Sequence, residues 1–467
     1  MKPTSALRAI IAVAALAGSA LISLAGSSAG AATSPTYTSG VLPLEVVGPV
    51  VPATGDQPPT SAQCAAATGN AVLACYGPAD IQNQYDFAPE YAAGNDGTGQ
   101  TIVIFDSFGS PTIQSDLATF DSAYNIPPPP SFKIYEPEGH VVLNYTHLPS
   151  PVGFHNKNVS TEIGWAYETT LDVEWAHAMA PGANIALVVV PVAETQGVQG
   201  LRNLQNAQQW ALSNHIGTIW SDSWATTEQA FHSASPVKGL DQFYEQAAQQ
   251  GVSAFFASGD SGVANTDKQG SLFTSPTVNY PSSSPAVISV GGTEIPAPPP
   301  SIASYQPEAA WNDCCGSGGG GYSAVFAEPP YQSSAAITDP NAARGLPDVS
   351  YNAALVSSIL IYESFDPTAT PGWVIIGGTS AAAPQWAAID AIANQADGAL
   401  GFLTPRLYQV YTDGSYSSAF HDITAGDNSW SGITGYNAAA GWDAATGLGT
   451  PDVANLVNAL KSTSPAP

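Results

Sequence analysis

Five short apolar runs rich in β-branched residues, at 101–105, 185–190, 216–220, 252–256 and 286–290, constrain this chain more than any other feature. They are continuously apolar instead of alternating, the pattern of strands buried on both faces of a parallel sheet. Stretches with helical apolar spacing lie between them, at 113–124, 167–179, 200–214 and 239–250. The expectation is an α/β sandwich with one large, mostly parallel central sheet covered by helices on both faces. No linker-like stretch interrupts 76–463, so that span is expected to be one domain.

A further apolar stretch, 373–376, runs through Gly377, Gly378, Thr379, Ser380, Ala381, Ala382, Ala383 and Pro384 into a helical pattern over 385–393. An extended run therefore turns sharply into a helix, with Ser380 at the turn. Serine is favoured at helix starts because its hydroxyl caps unpaired amides, a reading that needs no chemistry. The same place suits a nucleophile, because the helix-start N–H groups stabilise negative charge on a tetrahedral intermediate. Pro384 is tolerated early in a helix, where its missing donor is one that goes unbonded anyway.

Within 167–179, Glu168 and Asp172 are four apart and stand one above the other on one helix face, with Leu171, Trp175 and Met179 on or beside it. Two such carboxylates repel each other, and an apolar setting raises the cost. They either face solvent and mean little, or they are buried, share a proton in acid and act as a general-base relay. Glu174 lies round the helix from the pair and reads as structural, and His177 as a partly packed or surface residue. A third carboxyl, Asp260, sits in Ser258-Gly259-Asp260-Ser261-Gly262 directly after the 252–256 run. Ligands bind at that edge of a parallel sheet. Asp260 is then either a turn former or, when protonated, a hydrogen-bond donor to an oxyanion. The run Gly316-Ser317-Gly318-Gly319-Gly320-Gly321 implies backbone passing very close to a neighbour.

The chain carries 37 acidic against 10 basic residues, a net charge of −27 at pH 7. That balance excludes nucleic acid as a partner and disfavours acidic membrane surfaces. It largely disappears near pH 4, where Asp and Glu approach reference pKa values of about 3.9 and 4.3, so it suits work in acid as well as plain solubility. Lys2 and Arg8, an apolar middle and a small-residue end mark residues 1–31 as a secretory signal peptide cleaved near Ala31. A secreted, extracellular protein follows, with no membrane anchor after cleavage. Residues 32–75, with Pro43, Pro49, Pro52, Pro58 and Pro59, read as an extended segment in which Cys64 and Cys75 can close a local disulfide. Cys314 and Cys315 either bond to each other or stay separate, and 464–467 is a short tail.

Together these motifs resemble the sedolisin family, serine-carboxyl peptidases of subtilisin-like fold that cleave proteins in acid. The matches are Gly-Thr-Ser-x-x-x-Pro at Ser380, Glu-x-x-x-Asp at Glu168 and Asp172, Gly-Asp-x-Gly at Asp260, and the segments 290–293, 317–320 and 344–350. The resemblance implies Ser380 as nucleophile, Glu168 as general base, Asp172 as its partner and Asp260 at the oxyanion. The implied activity is that of a secreted, acid-acting endopeptidase hydrolysing protein or peptide substrates through an acyl-enzyme, as a monomer. Two alternatives stand beside it: a tripeptidyl-releasing exopeptidase of the same family, and a catalytically inactive secreted binding protein on the same fold. A subtilisin proper needs a histidine in His-Gly-Thr-His, a context that none of the seven histidines has. Asp106 follows its strand as the subtilisin aspartate does; in sedolisins that position usually holds a Glu that extends the proton network.

Residues 420–428 and 439–449 read from spacing alone as Asp-rich turns. They also resemble the family's calcium site, which implies one structural Ca2+ held by the carboxylates of Asp422 and Asp443 and the carbonyls of Ile423, Ala439 and Gly441. Sedolisins usually carry a long folding-assisting propeptide. Residues 32–75 are too few for one, so unaided folding or a different mode of activation is expected.

Overall fold

The computed structural model describes residues 42–43, 45–51, 57–141, 157–192, 198–231, 233–267, 270–337, 339, 341–367 and 369–463. The expected signal peptide, residues 1–31, and the expected tail at 464–467 lie outside the described residues.

Eight strands form the central sheet. Their spatial order is Ala309–Ala310, Ile288–Glu294, Ser253–Ala257, Ile219–Asp222, Thr101–Ser107, Asn184–Val190 and Phe132–Tyr135, and Val349–Asn352 also pairs with Ile288–Glu294. Every pairing is parallel except that of Ala309–Ala310. The five apolar runs become the inner strands, and their side chains divide by parity. Ile102 and Ile104 enter one core with Ile185, Leu187 and Val189, whereas Val103 and Phe105 enter a second with Ala186, Val188 and Val190. Helices Lys157–Met179 and Thr379–Asp397 cover the first face. Helices Val198–Ser213 and Ala234–Gln249 cover the other. The two helices of the first face pack directly on each other. Small residues at 381–383, 387 and 388 on one of them let the backbones come close.

The described parts of the amino-terminal segment form regular elements. Val46–Val51 pairs antiparallel with Gly372–Gly377, at the edge of a four-stranded sheet that also contains Ser357–Glu363 and Ala74–Tyr76. An edge is where a strand tolerates a residue without an N–H such as Pro49. Ser61–Ala67 is a helix opened by a capping box between Thr60 and Gln63. The Cys64–Cys75 disulfide ties that helix to the Ala74–Tyr76 strand. Cys314 and Cys315 are bonded to each other.

His177 also departs from the sequence reading: it is fully buried, with Nε2 3.0 Å from the Pro127 carbonyl oxygen. Glu174 is buried too, and it accepts from the Tyr362 N–H, a structural role as expected.

Candidate active site

Three neighbouring strands of the central sheet bring acids to their carboxyl ends. Thr101–Ser107 carries Asp106, Ile219–Asp222 ends in Asp222, and Ser253–Ala257 leads into Ser258, Gly259 and Asp260. The Lys157–Met179 helix supplies Glu168 and Asp172. Ser380 comes from the start of Thr379–Asp397, where Gly378 turns the preceding strand into the helix at φ 103°, a conformation open to glycine. Gly378 occupies the cap position, so Ser380 is not the cap. Its Oγ instead donates to Glu168 Oε2 at 2.9 Å.

Glu168, Asp172 and Ser380 are all 0 % exposed. Burial, and then the Asp172 carboxyl one turn away, push Glu168 well above the usual carboxylate range. Burial and the nearby Asp106 do the same to Asp172, opposed by the Ser223 hydroxyl, which donates to Asp172 Oδ1 at 2.8 Å. Glu168 Oε1 and Asp172 Oδ2 are buried and take no hydrogen bond from an amide or hydroxyl among the described residues. A proton on one of the pair removes most of the cost, because it is two buried negative charges a helical turn apart that are expensive, and it leaves the other carboxyl able to accept one.

Asp260 Oδ1 accepts from both the N–H and the hydroxyl of Thr379, each at 2.8 Å. The Gly259 N–H donates to that same hydroxyl oxygen at 3.0 Å, which locks the Asp260 loop onto the start of the Ser380 helix. Asp260 Oδ2 is buried without a hydrogen-bond partner, and burial pushes the carboxyl up to about 7. In acid, Asp260 is therefore a neutral donor with one oxygen to spare. The glycine run backs this loop: Ser317 N–H donates to the Asp260 carbonyl at 3.0 Å and Gly319 N–H to the Gly259 carbonyl at 2.7 Å. A Cβ at Gly319 would lie 2.3 Å from the Ser258 oxygen, the close approach that the glycines signalled.

The geometry thus gathers Glu168, Asp172, Asp260 and Ser380, with Asp106 at the position where the resemblance set an acid of the proton network, and it adds two carboxyls that sequence reasoning did not place there, Asp222 and Glu45. Asp106 is raised to about 7 by burial, eased by the Thr169 hydroxyl. Asp222 is raised well above its usual value by burial, and its Oδ1 accepts from Gln208 Nε2 at 2.7 Å. Glu45, from the proline-rich amino-terminal segment, is raised to about 8 by burial and shares a hydrogen bond with the Glu168 carboxyl. No local motif marks Glu45; only its partner across the fold does. None of the ion pairs among the described residues involves any of these acids.

The two carboxy-terminal loops also meet. Asp422 accepts from Gly441 N–H at 3.0 and 3.1 Å and from the Tyr416 hydroxyl at 3.0 Å. Asp443 Oδ2 accepts from Ala439 N–H at 3.0 Å, while Oδ1 accepts from the amides of Ala445 and Thr446. Ile423 is buried beside them, and Gly441 takes φ 77°, which few other residues adopt. Two carboxylates and neighbouring carbonyls make an all-oxygen donor set of the kind hard cations take. A grouping of Asp313 with Cys314 and Cys315 offers no thiolate, because those sulfurs are bonded to each other.

The Subtilase family model matches residues 146–427. Kumamolisin of Bacillus sp. (strain MN-32) is 33% identical over 402 residues, 84% of this chain and 64% of that protein. Tripeptidyl-peptidase sed4 of Aspergillus fumigatus is 27% identical over 440 residues, 81% of this chain and 64% of its own length. The chain thus spans under two thirds of the length of these relatives. Among solved structures, Pseudomonas sedolisin, a serine-carboxyl proteinase complexed with two molecules of pseudo-iodotyrostatin, superposes with a TM-score of 0.67 at 27% identity, covering 83% of this chain and 98% of that one. With the Ser380 hydroxyl donating to Glu168 and a second acid one turn along the same helix, the chain belongs to the subtilase family, in its sedolisin branch.

Proposed function

We propose that this chain is a secreted, acid-acting serine-carboxyl endopeptidase. The observation that carries the reading is the 2.9 Å hydrogen bond from Ser380 Oγ to Glu168 Oε2, in which a carboxyl group stands where an imidazole serves other serine peptidases. Ser380 Oγ attacks the substrate carbonyl carbon while Glu168 takes its proton, and Asp172 shares that proton load across the helical turn. Asp260, protonated, donates through Oδ2 to the oxyanion alongside the Ser380 N–H. The leaving amine takes the proton from Glu168. Water activated at the same carboxylate then hydrolyses the acyl-enzyme. Acid is needed because Asp260, held at about 7, loses its donor as the pH rises through that value.

In this reading residues 1–31 are removed on export, 76–463 fold as the peptidase domain, and the mature protein acts as a monomer on protein or peptide substrates. The carboxylates of Asp422 and Asp443, with the carbonyls of Ile423, Ala439 and Gly441, would hold one Ca2+. That ion would supply charge neutralisation that pins the two loops together. The likeness to a tripeptidyl-peptidase supports a second reading, release of tripeptides from amino termini, which the products separate from internal cutting.

The test is protein cleavage by the purified chain as a function of pH, with Ser380→Ala beside it. An acid optimum that vanishes in the variant is expected. An optimum near neutrality, or full activity without the Ser380 hydroxyl, contradicts the reading; inertness at every pH with a folded chain favours a binding protein on the same fold.

A further inference from the structure

The two disulfides of this chain stand in opposite settings. Cys64 and Cys75 are buried, at 0 % and 5 % exposure. Cys314 and Cys315 are exposed, at the tip of a tight turn that ends against the Asp260 loop. Asn312 and Ser317 pair antiparallel at the base of that turn, and the Asp313 N–H donates across it to the Gly316 carbonyl at 3.1 Å. Asp313 Oδ1 accepts from the Cys315 N–H at 2.8 Å and the Gly316 N–H at 3.2 Å, while Oδ2 accepts from the Val356 N–H at 3.1 Å, so the first arm of the turn is anchored. The second arm touches the site. Ser317 grips the Asp260 loop twice: its N–H donates to the Asp260 carbonyl at 3.0 Å, and its carbonyl accepts from the Gly262 N–H at 2.7 Å. Gly316, between the disulfide and Ser317, has no slack, since a Cβ there would lie 2.3 Å from the Trp311 ring and 3.1 Å from the Asp260 carbonyl oxygen. A shift at Cys315 is therefore passed on to Ser317 and Asp260.

We infer that the Cys314–Cys315 bond is a redox switch on the peptidase site: intact, it holds the turn that sets Asp260 toward the oxyanion, and reduced, it lets that donor move out of place. The inference rests on the peptidase reading above. One peptide unit links the two cysteines, so their Cα atoms are 3.8 Å apart, closer than the roughly 4.4–6.8 Å that disulfides ordinarily span. A bond closed across so short a span, with both residues open to solvent, is the more readily reduced of the two. The reductant is a dithiol. Its first thiolate attacks one cysteine sulfur and breaks the S–S bond, and its second thiolate displaces the mixed disulfide. Two electrons and two protons pass to the chain, which gains two thiols, and the dithiol becomes a cyclic disulfide. The Asp313 carboxylate, within 4.8 Å of both sulfurs, opposes their ionisation, so they part as neutral thiols. Asp260 keeps its bonds to Thr379, but the brace on its carbonyl loosens. Cys314 and Cys315 are thus positioning residues that act through Ser317.

The experiment treats the full chain with dithiothreitol near neutral pH, where thiolate is available, and then assays peptide cleavage in acid, where exchange stops. Alkylation followed by peptide mass spectrometry reports which thiols are free. Expected is labelling of Cys314 and Cys315 with Cys64 and Cys75 still bonded, and a fall in kcat of about 10- to 100-fold at nearly constant KM. The unfolding midpoint should hold, and reoxidation should restore kcat. The double variant Cys314→Ser, Cys315→Ser should match the reduced chain without treatment and ignore the dithiol. Labelling of both thiols with kcat unchanged overturns the switch and leaves the peptidase reading standing. So does a Cys314–Cys315 bond that resists the dithiol, prior opening of Cys64–Cys75, or a loss of activity that tracks unfolding. An untreated chain that cleaves nothing in acid overturns the peptidase reading and the switch together.

Discussion

Two buried groups of acids in this molecule are treated in opposite ways. Asp348 is fully buried against Arg344, whose Nη1 and Nη2 donate to its two carboxylate oxygens at 2.8 and 2.6 Å. The Ser289 N–H and the Tyr408 hydroxyl complete its shell at 2.8 Å each. Each of its two oxygens accepts two hydrogen bonds, and the pair fixes geometry. Around Ser380 the acids Glu45, Asp106, Glu168, Asp172, Asp222 and Asp260 are brought together, and none of them is in an ion pair among the described residues. Neutrality there comes from protons, which can move. The same burial gives a rigid strut where a guanidinium is supplied and a proton store where it is withheld.

The largest effect that tests this contrast is on the strut. Asp348→Ala strands a buried guanidinium and is expected to cost about 3–5 kcal/mol, read by urea unfolding, with the pH profile of activity unchanged in shape. A cost below about 1 kcal/mol would place Arg344 in contact with water and break the comparison. Next, Asp260→Ala removes the neutral donor and should lower kcat/KM on the order of 10²- to 10³-fold in acid, with little change in unfolding.

Stability against pH sharpens the proton-store side. Burial raises Asp390 to about 7 and Asp241 to about 7, so the folded chain keeps protons that the unfolded chain releases above its ordinary carboxylate pKa. Stability from these groups is therefore full in acid and falls as the pH climbs from the unfolded value through the folded one. Asp390→Asn should raise stability at neutral pH by about 2–4 kcal/mol and leave the acid value nearly unchanged, as melts at the two pH values would show. The smallest effect concerns the Ca2+ proposed between Asp422 and Asp443. Chelation is expected to lower stability by about 1–3 kcal/mol, and Asp422→Ala should abolish that response.

Much of this was legible in the sequence where function coincides with local pattern. The apolar runs gave the parallel sheet because continuous burial leaves a continuous signature, and the 113–124 helix was read to the residue. Glu168 and Asp172 were found by helical spacing, and Asp260 by its place after a strand. Ser380 carried two readings until its hydroxyl was seen to point at Glu168 and Gly378 to hold the cap. Glu45 was invisible, since nothing in the proline-rich stretch just before an edge strand announces a partner more than a hundred residues away. The burial of His177 was missed for a related reason: the Pro127 loop that covers it is remote in the chain. Long-range pairing, not local propensity, decides such positions.

The central claim is that a carboxyl group primes the serine. Acylation of Ser380 by an activated peptide ester in acid, followed by mass spectrometry of quenched samples, tests it in wild type and Glu168→Gln. The account predicts an adduct on Ser380 in the wild type and a fall in its rate of formation of about 10³-fold or more in the variant. An adduct that forms at the wild-type rate without the Glu168 carboxylate, or that forms on another residue, would contradict it.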